Sequence, residues 1–305
     1  MAFGKRSKIK QGSLFVSAIL YTIATLLGLI TVYPIIYIIS NSISDPVLSA
    51  AGQIWLYPVG FTLEAYEFVL KDATILRSFF NSVCYTIIMS FSLVFLTMMF
   101  GFGLSKKGLI GKKFITVYLL ITMYFGGGLI PSFLNMTRLG LYGTLFAVFL
   151  PSLFNVYFVI LARTNINNIP PALIEAATID GASVPGIFFK VVLPLSKPIM
   201  AVLALYAALA FWNEWYAYMI YIPTREDLHP LAYYLVRILQ NGEAMMQNIA
   251  NSTEGGNPID QQRLILMLNQ LKYAVSVVTS VPIMCLYPFA QKYFVQGAML
   301  GSLKE

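Results

Sequence analysis

The sequence QGSLFVSAILYTIATLLGLITVYPIIYIISNSIS (residues 11–44) decides the fold class, because it places 34 uncharged residues between Lys10 and Asp45. A charged side chain at the centre of a bilayer costs about 2.5–3.5 kcal/mol, so long uncharged runs mark membrane spans. About 20 helical residues cross the roughly 30 Å of hydrocarbon. The run predicts a transmembrane helix near 14–39, and it exceeds the roughly 7–15 apolar residues of a cleavable signal peptide.

The composition of the whole chain supports a membrane protein. Of the 305 residues, 58% are hydrophobic and 14% aromatic, while only 11% are charged. An ordinary soluble domain carries about 25% charged residues. The composition therefore excludes an ordinary soluble enzyme, a disordered chain and a collagen-like fibre. It predicts an all-α polytopic membrane protein with a single transmembrane domain over 1–305.

Five further runs between charged residues have the length of a membrane span. They lie near 79–103, 114–133, 143–162, 199–222 and 273–291. Together with the first run they predict six transmembrane helices, of which the fifth contains one charge, Glu214. Gly126-Gly127-Gly128 predicts an irregular end to the third span, and Pro282 and Pro288 predict a bend or break in the sixth.

The distribution of basic residues predicts the orientation of these spans. Six spans put both termini, the 104–113 turn and the 163–198 loop on one side, which carries 13 of the 20 Lys and Arg residues. The positive-inside rule assigns that side to the cytoplasm. We therefore expect a cytoplasmic tail over 1–13 and a large external loop over 223–272. The net charge of +7 reflects this asymmetry, so no nucleic-acid partner is expected.

The sequence lacks the motifs of common catalytic sites. Gly111-Lys112-Lys113 comes closest to a phosphate-binding loop, but Lys106 replaces its first glycine and Lys113 its Ser or Thr. Neither a G-x-S-x-G nor an H-E-x-x-H sequence occurs. Two cysteines in apolar runs and a single histidine argue against a disulfide framework or a metal site. We expect no catalysis and no cofactor in this chain, with any energy source on another subunit.

The 163–198 loop contains IPPALIEAATIDGA (169–182). Pro171 suits the first turn of a helix, and the alanines that follow favour its propagation. Gly181 can adopt the left-handed conformation that ends a helix. This sequence predicts a short helix on the cytoplasmic side.

A second short helix is expected directly after the first. Ser183 is suited to start it, and we expect Leu193-Pro194 to close it before the fifth span. The two helices would form a compact knob on the cytoplasmic face. Leu173, Phe188 and Phe189 would give this knob an exposed apolar patch if they are not folded back on the spans.

The knob resembles the EAA loop of ABC importer permeases, whose pattern is E-A-A-x-x-x-G followed after nine residues by I-x-L-P. The matching residues are Glu175, Ala176, Ala177, Asp180, Gly181, Leu193 and Pro194, with Val191 in place of the isoleucine. Residues 130–144 and 297–301 resemble sugar permeases of the maltose-permease G type. Within that group, residues 211–215 and 287–294 look most like permeases for complex oligosaccharides.

The resemblance implies a multi-pass permease of the bacterial inner membrane that pairs with a second, homologous permease to form the path for a sugar, expected to be an oligosaccharide. It also implies a dimer of ABC ATPase subunits, which binds ATP and Mg²⁺, and an extracytoplasmic solute-binding protein. The knob would dock in a cleft of the ATPase, with Glu175 meeting a basic residue and Gly181 permitting the turn. Met245, Met246 and residues 264–268 form apolar patches in the external loop, which would contact the binding protein or belong to a lid packed on the spans.

Candidate substrate contacts cluster around the single carboxylate of the fifth span. An intramembrane carboxylate is costly unless it is used or paired. On a continuous helix, Glu214, Tyr218 and Tyr221 share a face and offer an acceptor and flat rings to a sugar. The candidates are Trp212, Asn213, Glu214, Tyr218 and Tyr221. An aromatic belt at the membrane interface and pairing of Glu214 with the partner permease remain open as alternatives.

Other functions also remain open at this point. A stand-alone channel or secondary transporter would need no ATPase. An ABC importer permease could carry a solute other than a sugar. A membrane enzyme would need acid–base partners for Glu214, and the apolar spans do not supply them.

Overall fold

The computed structural model describes residues 14–240, 266 and 270–285. Within these residues every regular element is helical, which agrees with the predicted all-α class. They fall into two compact units. The first contains the residues up to Val69 together with 270–277, and the second contains Leu70 to residue 240 together with 278–285.

The first unit begins with a long apolar helix, α1 (Leu14–Ser42), followed by α2 (Pro46–Ala50) and by most of α3 (Glu64–Lys71). A helix therefore forms where the first span is predicted. Its 29 residues extend about 44 Å at 1.5 Å per residue. The side chains of α1 are exposed along most of the helix. Exposure of an apolar helix is expected if lipid surrounds it in the membrane.

A buried polar junction holds the end of α1 in the first unit. Gln270, which is fully buried, donates from Nε2 to the carbonyl oxygen of Ser42 at 3.2 Å and to that of Ser44. The last carbonyls of a helix lack partners within the helix. The side-chain amide of Gln270 therefore supplies donors to backbone groups that would otherwise be buried without a partner.

The second unit is built around α4 (Ala73–Ser105), which packs against α8 (Val156–Asn167) and α12 (Lys197–Trp212). α4 begins where Asp72 accepts a hydrogen bond from the backbone N–H of Thr74 at 2.7 Å, as an N-cap residue does. Helices α4 and α8 approach closely at Gly101. A Cβ atom added there would lie 2.9 Å from the Cβ of Ala162.

The third predicted span, 114–133, is divided between two helices. α5 (Lys112–Tyr124) and α6 (Leu129–Arg138) differ in direction by 112°. Gly128 has a φ of +80°, which residues with a side chain rarely adopt. The irregularity predicted from the glycine run is confirmed, and its physical consequence is a sharp turn of the chain.

The fourth predicted span forms from two consecutive helices, α7 (Leu145–Ser152) and α8. Together they make an apolar segment over Leu145–Asn167 that is long enough to cross a membrane. Asn155 restarts the helix by accepting a hydrogen bond from the N–H of Phe158 at 3.1 Å. The helical segment therefore extends past the predicted end at 162, into the loop predicted at 163–198.

The fifth predicted span, 199–222, is wrong as a continuous helix. α12 ends at Trp212, and the short α13 (Tyr216–Tyr221) follows after a three-residue break. The Trp212 indole donates from Nε1 to the carbonyl oxygen of Thr279 at 2.9 Å. This hydrogen bond ties the end of α12 to the helical residues 278–285 of the same unit.

The described residues contain three helices that are long and apolar enough to cross a membrane, at Val16–Ser42, Ala73–Ser105 and Leu145–Asn167. Two bent helix pairs raise this number to five if each pair counts as one span. Residues 270–285 are helical, so the first part of the predicted sixth span forms a helix that continues past Pro282. The tail at 1–13 and Pro288 lie outside the described residues.

Candidate functional site

The first helix of the predicted knob forms as α9 (Pro171–Ile179). Pro171 stands in its first turn, where the N–H that proline lacks would have no helical partner. At the other end Gly181 has a φ of +78°. The N–H of Gly181 donates to the carbonyl oxygen of Thr178 at 3.1 Å, and the N–H of Ala182 donates to that of Ala177 at 2.9 Å. This is the Schellman pattern of helix termination. The predicted helix and its glycine stop are confirmed.

The second helix of the knob also forms where it is predicted. Ser183 starts it by accepting at Oγ from the N–H of Gly186 at 3.3 Å. The helix then continues through α10 (Val184–Ile187), a π-helical turn over Phe188–Val192 and α11 (Leu193–Leu195). The helix ends at Leu195, one residue after Pro194, and its direction differs by 80° from that of α12. The prediction that Leu193-Pro194 closes this helix before the fifth span is therefore confirmed to within one residue.

The inner face of the knob, formed by Ile187, Phe188 and Val192, is buried. These side chains belong to one apolar cluster with Phe102 of α4 and Ile166 of α8. The rings of Phe102 and Phe188 lie 5.4 Å apart. The predicted exposure of Phe188 is therefore wrong, because this ring is 5% exposed. Burial of each such side chain contributes about 1.5–3 kcal/mol, so the knob is firmly attached to α4 and α8.

The outer face of the knob consists of its exposed residues. They include Leu173, Glu175, Ala176, Ile179, Asp180, Val184 and Phe189. Ile179 is 86% exposed and Phe189 54% exposed, so the predicted apolar patch is present without Phe188. Of the remaining motif residues, Ala177 and Leu193 are half-buried and Pro194 is exposed.

A cleft of about 190 Å³ lies beside the knob. Lys106 and Lys107 line one part of it, where the chain leaves α4, and Ile174 and Glu175 line another part on α9. The cleft therefore brings a carboxylate of the motif and two ammonium groups to the same recess. The sequence spacing gave no indication of this proximity, because about seventy residues separate the two segments.

The break between α12 and α13 contains two of the predicted substrate residues. Asn213 is exposed and donates from Nδ2 to the carbonyl oxygen of Leu209 at 2.8 Å. Glu214 is half-buried and accepts at Oε1 from the N–H of Ala217 at 2.8 Å. Glu214 therefore caps the start of α13. The prediction that Glu214, Tyr218 and Tyr221 share one face of a continuous helix is wrong, because Glu214 lies in the break before α13.

The predicted aromatic residues separate into two environments. Tyr218 and Tyr221 are buried in a cluster that also contains Ala147 and Val148 of α7. The Tyr218 ring stacks on Tyr85 of α4 at 6.0 Å. Trp212 is buried elsewhere, with its ring 6.1 Å from that of Phe79. Tyr85 could not be predicted as the partner of Tyr218, since a lone tyrosine within an apolar span carries no local signal.

The chain after α13 folds back onto α4. Asn81 of α4 donates from Nδ2 to the carbonyl oxygen of Asp227 at 2.9 Å, and the N–H of Leu231 donates to Ser82 at 2.7 Å. His229 is 2% exposed, and its Nε2 lies 2.8 Å from the carbonyl oxygen of Ile222. Burial lowers the pKa of His229, and the contact with the Ile222 carbonyl opposes this shift.

Charged residues at the start of the predicted external loop pair with one another. Arg225 and Asp227 form an ion pair at 2.9 Å, which raises the pKa of Arg225 and lowers that of Asp227. Arg237 contacts Glu226 at 2.7 Å. Burial raises the pKa of Tyr234 to about 12. The predicted contact residues Met245 and Met246, and residues 264–268 apart from 266, lie outside the described residues.

The chain is similar to several bacterial transport proteins over nearly its whole length. It is 34% identical to the polygalacturonan/rhamnogalacturonan transport system permease protein YtcP of Bacillus subtilis, covering 94% of this chain and 97% of that protein. It is 32% identical to protein LplC of the same organism, over 91% and 90% of the two chains. The arabinooligosaccharides transport system permease protein AraQ of Halalkalibacterium halodurans is 29% identical over 91% and 93%. No protein-family model matches the sequence.

Solved structures show the same relationship. A chain in the crystal structure of a bacterial ABC transporter involved in the import of the acidic polysaccharide alginate superposes with a TM-score of 0.81 at 29% identity, covering 96% of this chain and 100% of that one. A chain from a bacterial alginate ABC transporter in complex with an alginate pentasaccharide-bound periplasmic protein superposes with a TM-score of 0.56 at 15% identity, covering 92% and 94%. The second likeness supports the fold alone.

Proposed function

The chain belongs to the membrane permeases of ABC sugar importers, and from this premise we propose that it forms, with a second homologous permease, the translocation path for an oligosaccharide. The permeases of this family are transport subunits and not enzymes. ATP hydrolysis would reside on a separate dimer of ABC ATPase subunits, which would also bind Mg²⁺. The bacterial inner membrane is the expected location.

The knob is the observation that carries this proposal. Its inner face is buried against α4 and α8, and its outer face exposes Glu175, Ile179 and Phe189. A segment with one face fixed to the helices and another face accessible can transmit the movement of a soluble partner to those helices as a rigid-body shift. We therefore propose that the outer face docks on the ATPase.

Within the knob the motif residues have distinct proposed roles. Glu175 is exposed and would pair with a basic residue of the ATPase. Gly181 would fix the angle between the two helices, because its φ of +78° is unfavourable for other residues. Ala176 is exposed and Ala177 half-buried, so small side chains let α9 approach both the partner and the core.

The expected substrate is an oligosaccharide. Relatives carry names that specify polygalacturonan, rhamnogalacturonan or arabinooligosaccharides, and a related transporter imports alginate. In this chain Asn213 and Glu214 provide accessible polar groups at a break in the fifth span, where irregular backbone is tolerated if it lines a wet cavity. We propose that these two residues face the path and that Trp212, Tyr218 and Tyr221 support them through packing.

The proposed orientation places the knob and both termini in the cytoplasm and the 223–272 loop outside, where it would meet a solute-binding protein. The basic-residue count supports this orientation. A thiol reagent that cannot cross membranes should react with a cysteine introduced at Ile179 only from the cytoplasmic side, in a background without Cys84 and Cys285. Reaction from the outside would contradict the orientation.

The transport proposal is tested by reconstitution. The chain, its partner permease, the ATPase and the binding protein are placed in proteoliposomes, and uptake of oligogalacturonides, arabinooligosaccharides and alginate oligosaccharides is measured with and without ATP. We expect ATP-dependent uptake of at least one of these classes. Uptake by this chain alone without the ATPase would indicate a channel or secondary transporter. ATP-dependent uptake of a non-sugar solute alone would contradict the substrate class.

A further inference from the structure

The turn between α4 and α5 has a charge pattern that transport coupling does not require. Its sequence, KKGLIGKK (106–113), places a pair of lysines on each side of Gly-Leu-Ile-Gly. α4 ends at Ser105 and α5 begins at Lys112. α4 is a candidate membrane span, and α5 counts toward one only together with α6, from which its direction differs by 112°. Because an ammonium group avoids the hydrocarbon core, the turn lies at the level of the lipid headgroups.

The sequence around this turn is rich in lysines and poor in carboxylates. No Asp or Glu occurs in the sequence from Ala73 to Ile174. In the described part of the chain, ion pairs of 4 Å or less do not include any of the four ammonium groups. Glu175 lines the same cleft as Lys106 and Lys107 but is a single carboxylate. The turn therefore presents an excess of positive charge at the membrane surface.

Two of the four lysines hold the turn in shape. The Lys112 ammonium donates to the carbonyl oxygens of Ser105 at 3.4 Å and Lys106 at 3.3 Å, which satisfies carbonyls at the end of α4. The Lys106 ammonium lies 4.5 Å from the centre of the Phe102 ring, within cation–π distance. The other two lysines, Lys107 and Lys113, are exposed.

Apolar side chains are exposed beside these lysines. Ile110 at the tip of the turn is 93% exposed, and Phe114 in the first turn of α5 is 75% exposed. Exposing such apolar side chains to water is unfavourable, so they would not stabilise a turn that is surrounded only by water. Basic residues next to exposed apolar residues are the combination by which protein segments attach to the interface of an anionic bilayer.

We propose that the 106–113 turn binds an anionic phospholipid in the leaflet that it faces. Lys107 and Lys113 would contact the phosphate of the headgroup, while Ile110 and Phe114 would contact the glycerol and upper acyl region. A basic residue near an anionic lipid surface strengthens binding about fivefold. This inference depends neither on the identity of the transported solute nor on which side of the membrane the turn occupies.

The full-length chain, purified in detergent with the subunits that accompany it, is titrated with phosphatidylglycerol or with phosphatidylcholine of the same acyl chains. Native mass spectrometry counts the bound lipids. We expect tighter binding of phosphatidylglycerol, and the variant Lys107→Ala/Lys113→Ala should weaken that binding by about fivefold per lysine. Binding of phosphatidylcholine should not change. Lys107→Arg/Lys113→Arg should retain the preference, because it keeps both positive charges.

Arg138→Ala is the matched control, since it removes an exposed cation at the end of α6. Equal affinity for the two lipids, or an equal loss in the Arg138 variant, would overturn the proposal. Inorganic phosphate is added in a separate arm. If millimolar phosphate displaced phosphatidylglycerol completely, the turn would be a site for small anions and the lipid proposal would be wrong. Persistent lipid binding in the presence of phosphate would support it.

Discussion

The two ends of α12 are built in different ways. At its start, the knob is fixed by a buried inner face that packs on α4 and α8. At its end, the break at 213–215 is held by a few individual hydrogen bonds, which Asn213 donates, Glu214 accepts and the neighbouring Trp212 donates to Thr279. Many apolar contacts resist local deformation, whereas one hydrogen bond contributes only about 0.5–1.5 kcal/mol net. The comparison indicates that the knob end is suited to transmit movement and the break is suited to adjust to it.

Neighbouring phenylalanines of the knob give the largest expected contrast. Phe188 is 5% and Phe189 54% exposed. Phe188→Ala should lower the free energy of unfolding by about 3–5 kcal/mol, because it leaves a cavity in the core. Phe189→Ala should change stability little but reduce the amount of ATPase that co-purifies. Thermal unfolding and subunit stoichiometry measure the two effects, and equal destabilisation by both variants would contradict the assignment of inner and outer faces.

The contact between α4 and α8, on which the inner face of the knob rests, can be weakened at Gly101. A new Cβ would lie 2.9 Å from Ala162 Cβ and 3.0 Å from the N of Arg163, and backbone atoms cannot easily yield. Gly101→Leu should therefore destabilise the protein by about 1–3 kcal/mol through overpacking. Gly103→Leu is the control, because a Cβ there meets nothing within 4 Å. A control as unstable as the test variant would show that the close contact is not the cause.

At the other end of α12, the cap that Glu214 supplies to α13 should contribute about 1 kcal/mol. Glu214→Ala removes the acceptor for the Ala217 N–H and should lower stability by that amount. Glu214→Gln retains an acceptor oxygen and should restore most of it. If Glu214 also faces the path, both variants should reduce sugar uptake per assembled complex. Loss of assembled complex at normal uptake per complex would instead indicate pairing with the partner permease.

The smallest expected effect concerns the segment that follows the break. Burial lowers the pKa of His229 in the folded state, so the neutral imidazole is favoured there. The resulting stabilisation is present above the unfolded pKa of about 6.5 and is lost as the pH falls below it, because the unfolded segment binds the proton more readily. Hydrogen exchange of residues 222–233, corrected for intrinsic rates, should therefore accelerate on acidification.

His229→Gln is the control for this pH dependence. The segment also faces Arg237, Glu226 and Asp227, but the lowered pKa of Asp227 confines its titration to more acidic conditions. The variant should therefore lose the acceleration between about pH 7.5 and about pH 5.5. An unchanged pH response in the His229 variant would assign the effect to another group.

The sequence predicts the knob well because its signals are local. Pro171 starts α9, Gly181 ends it and Ser183 starts the next helix, and each signal acts on residues at most a few positions away. The separation of Phe188 from Phe189 is harder to foresee, since which of two adjacent rings is buried depends on the π-helical turn and on the positions of α4 and α8.

The break after α12 shows why part of the candidate site is not predictable. No glycine or proline marks residues 213–215, and the apolar pattern continues on both sides. The break is stabilised by the hydrogen bonds of two side chains and by the Trp212 contact with Thr279, which is distant in sequence. In contrast, Gly126-Gly127-Gly128 predicts the irregularity between α5 and α6, although not its 112° angle.

The central claim is that the outer face of the knob couples this permease to an ATPase. ATP hydrolysis and sugar uptake are measured together in the reconstituted complex for Glu175→Lys and Gly181→Val, with Gly103→Val as a control outside the knob. Charge reversal removes the proposed ion pair, and valine is strained at the φ of +78° that Gly181 adopts. The account predicts at least a tenfold loss of uptake per ATP hydrolysed, about 1.4 kcal/mol of coupling, in both knob variants with the control unchanged. Normal uptake and normal ATPase co-purification in both variants would contradict it.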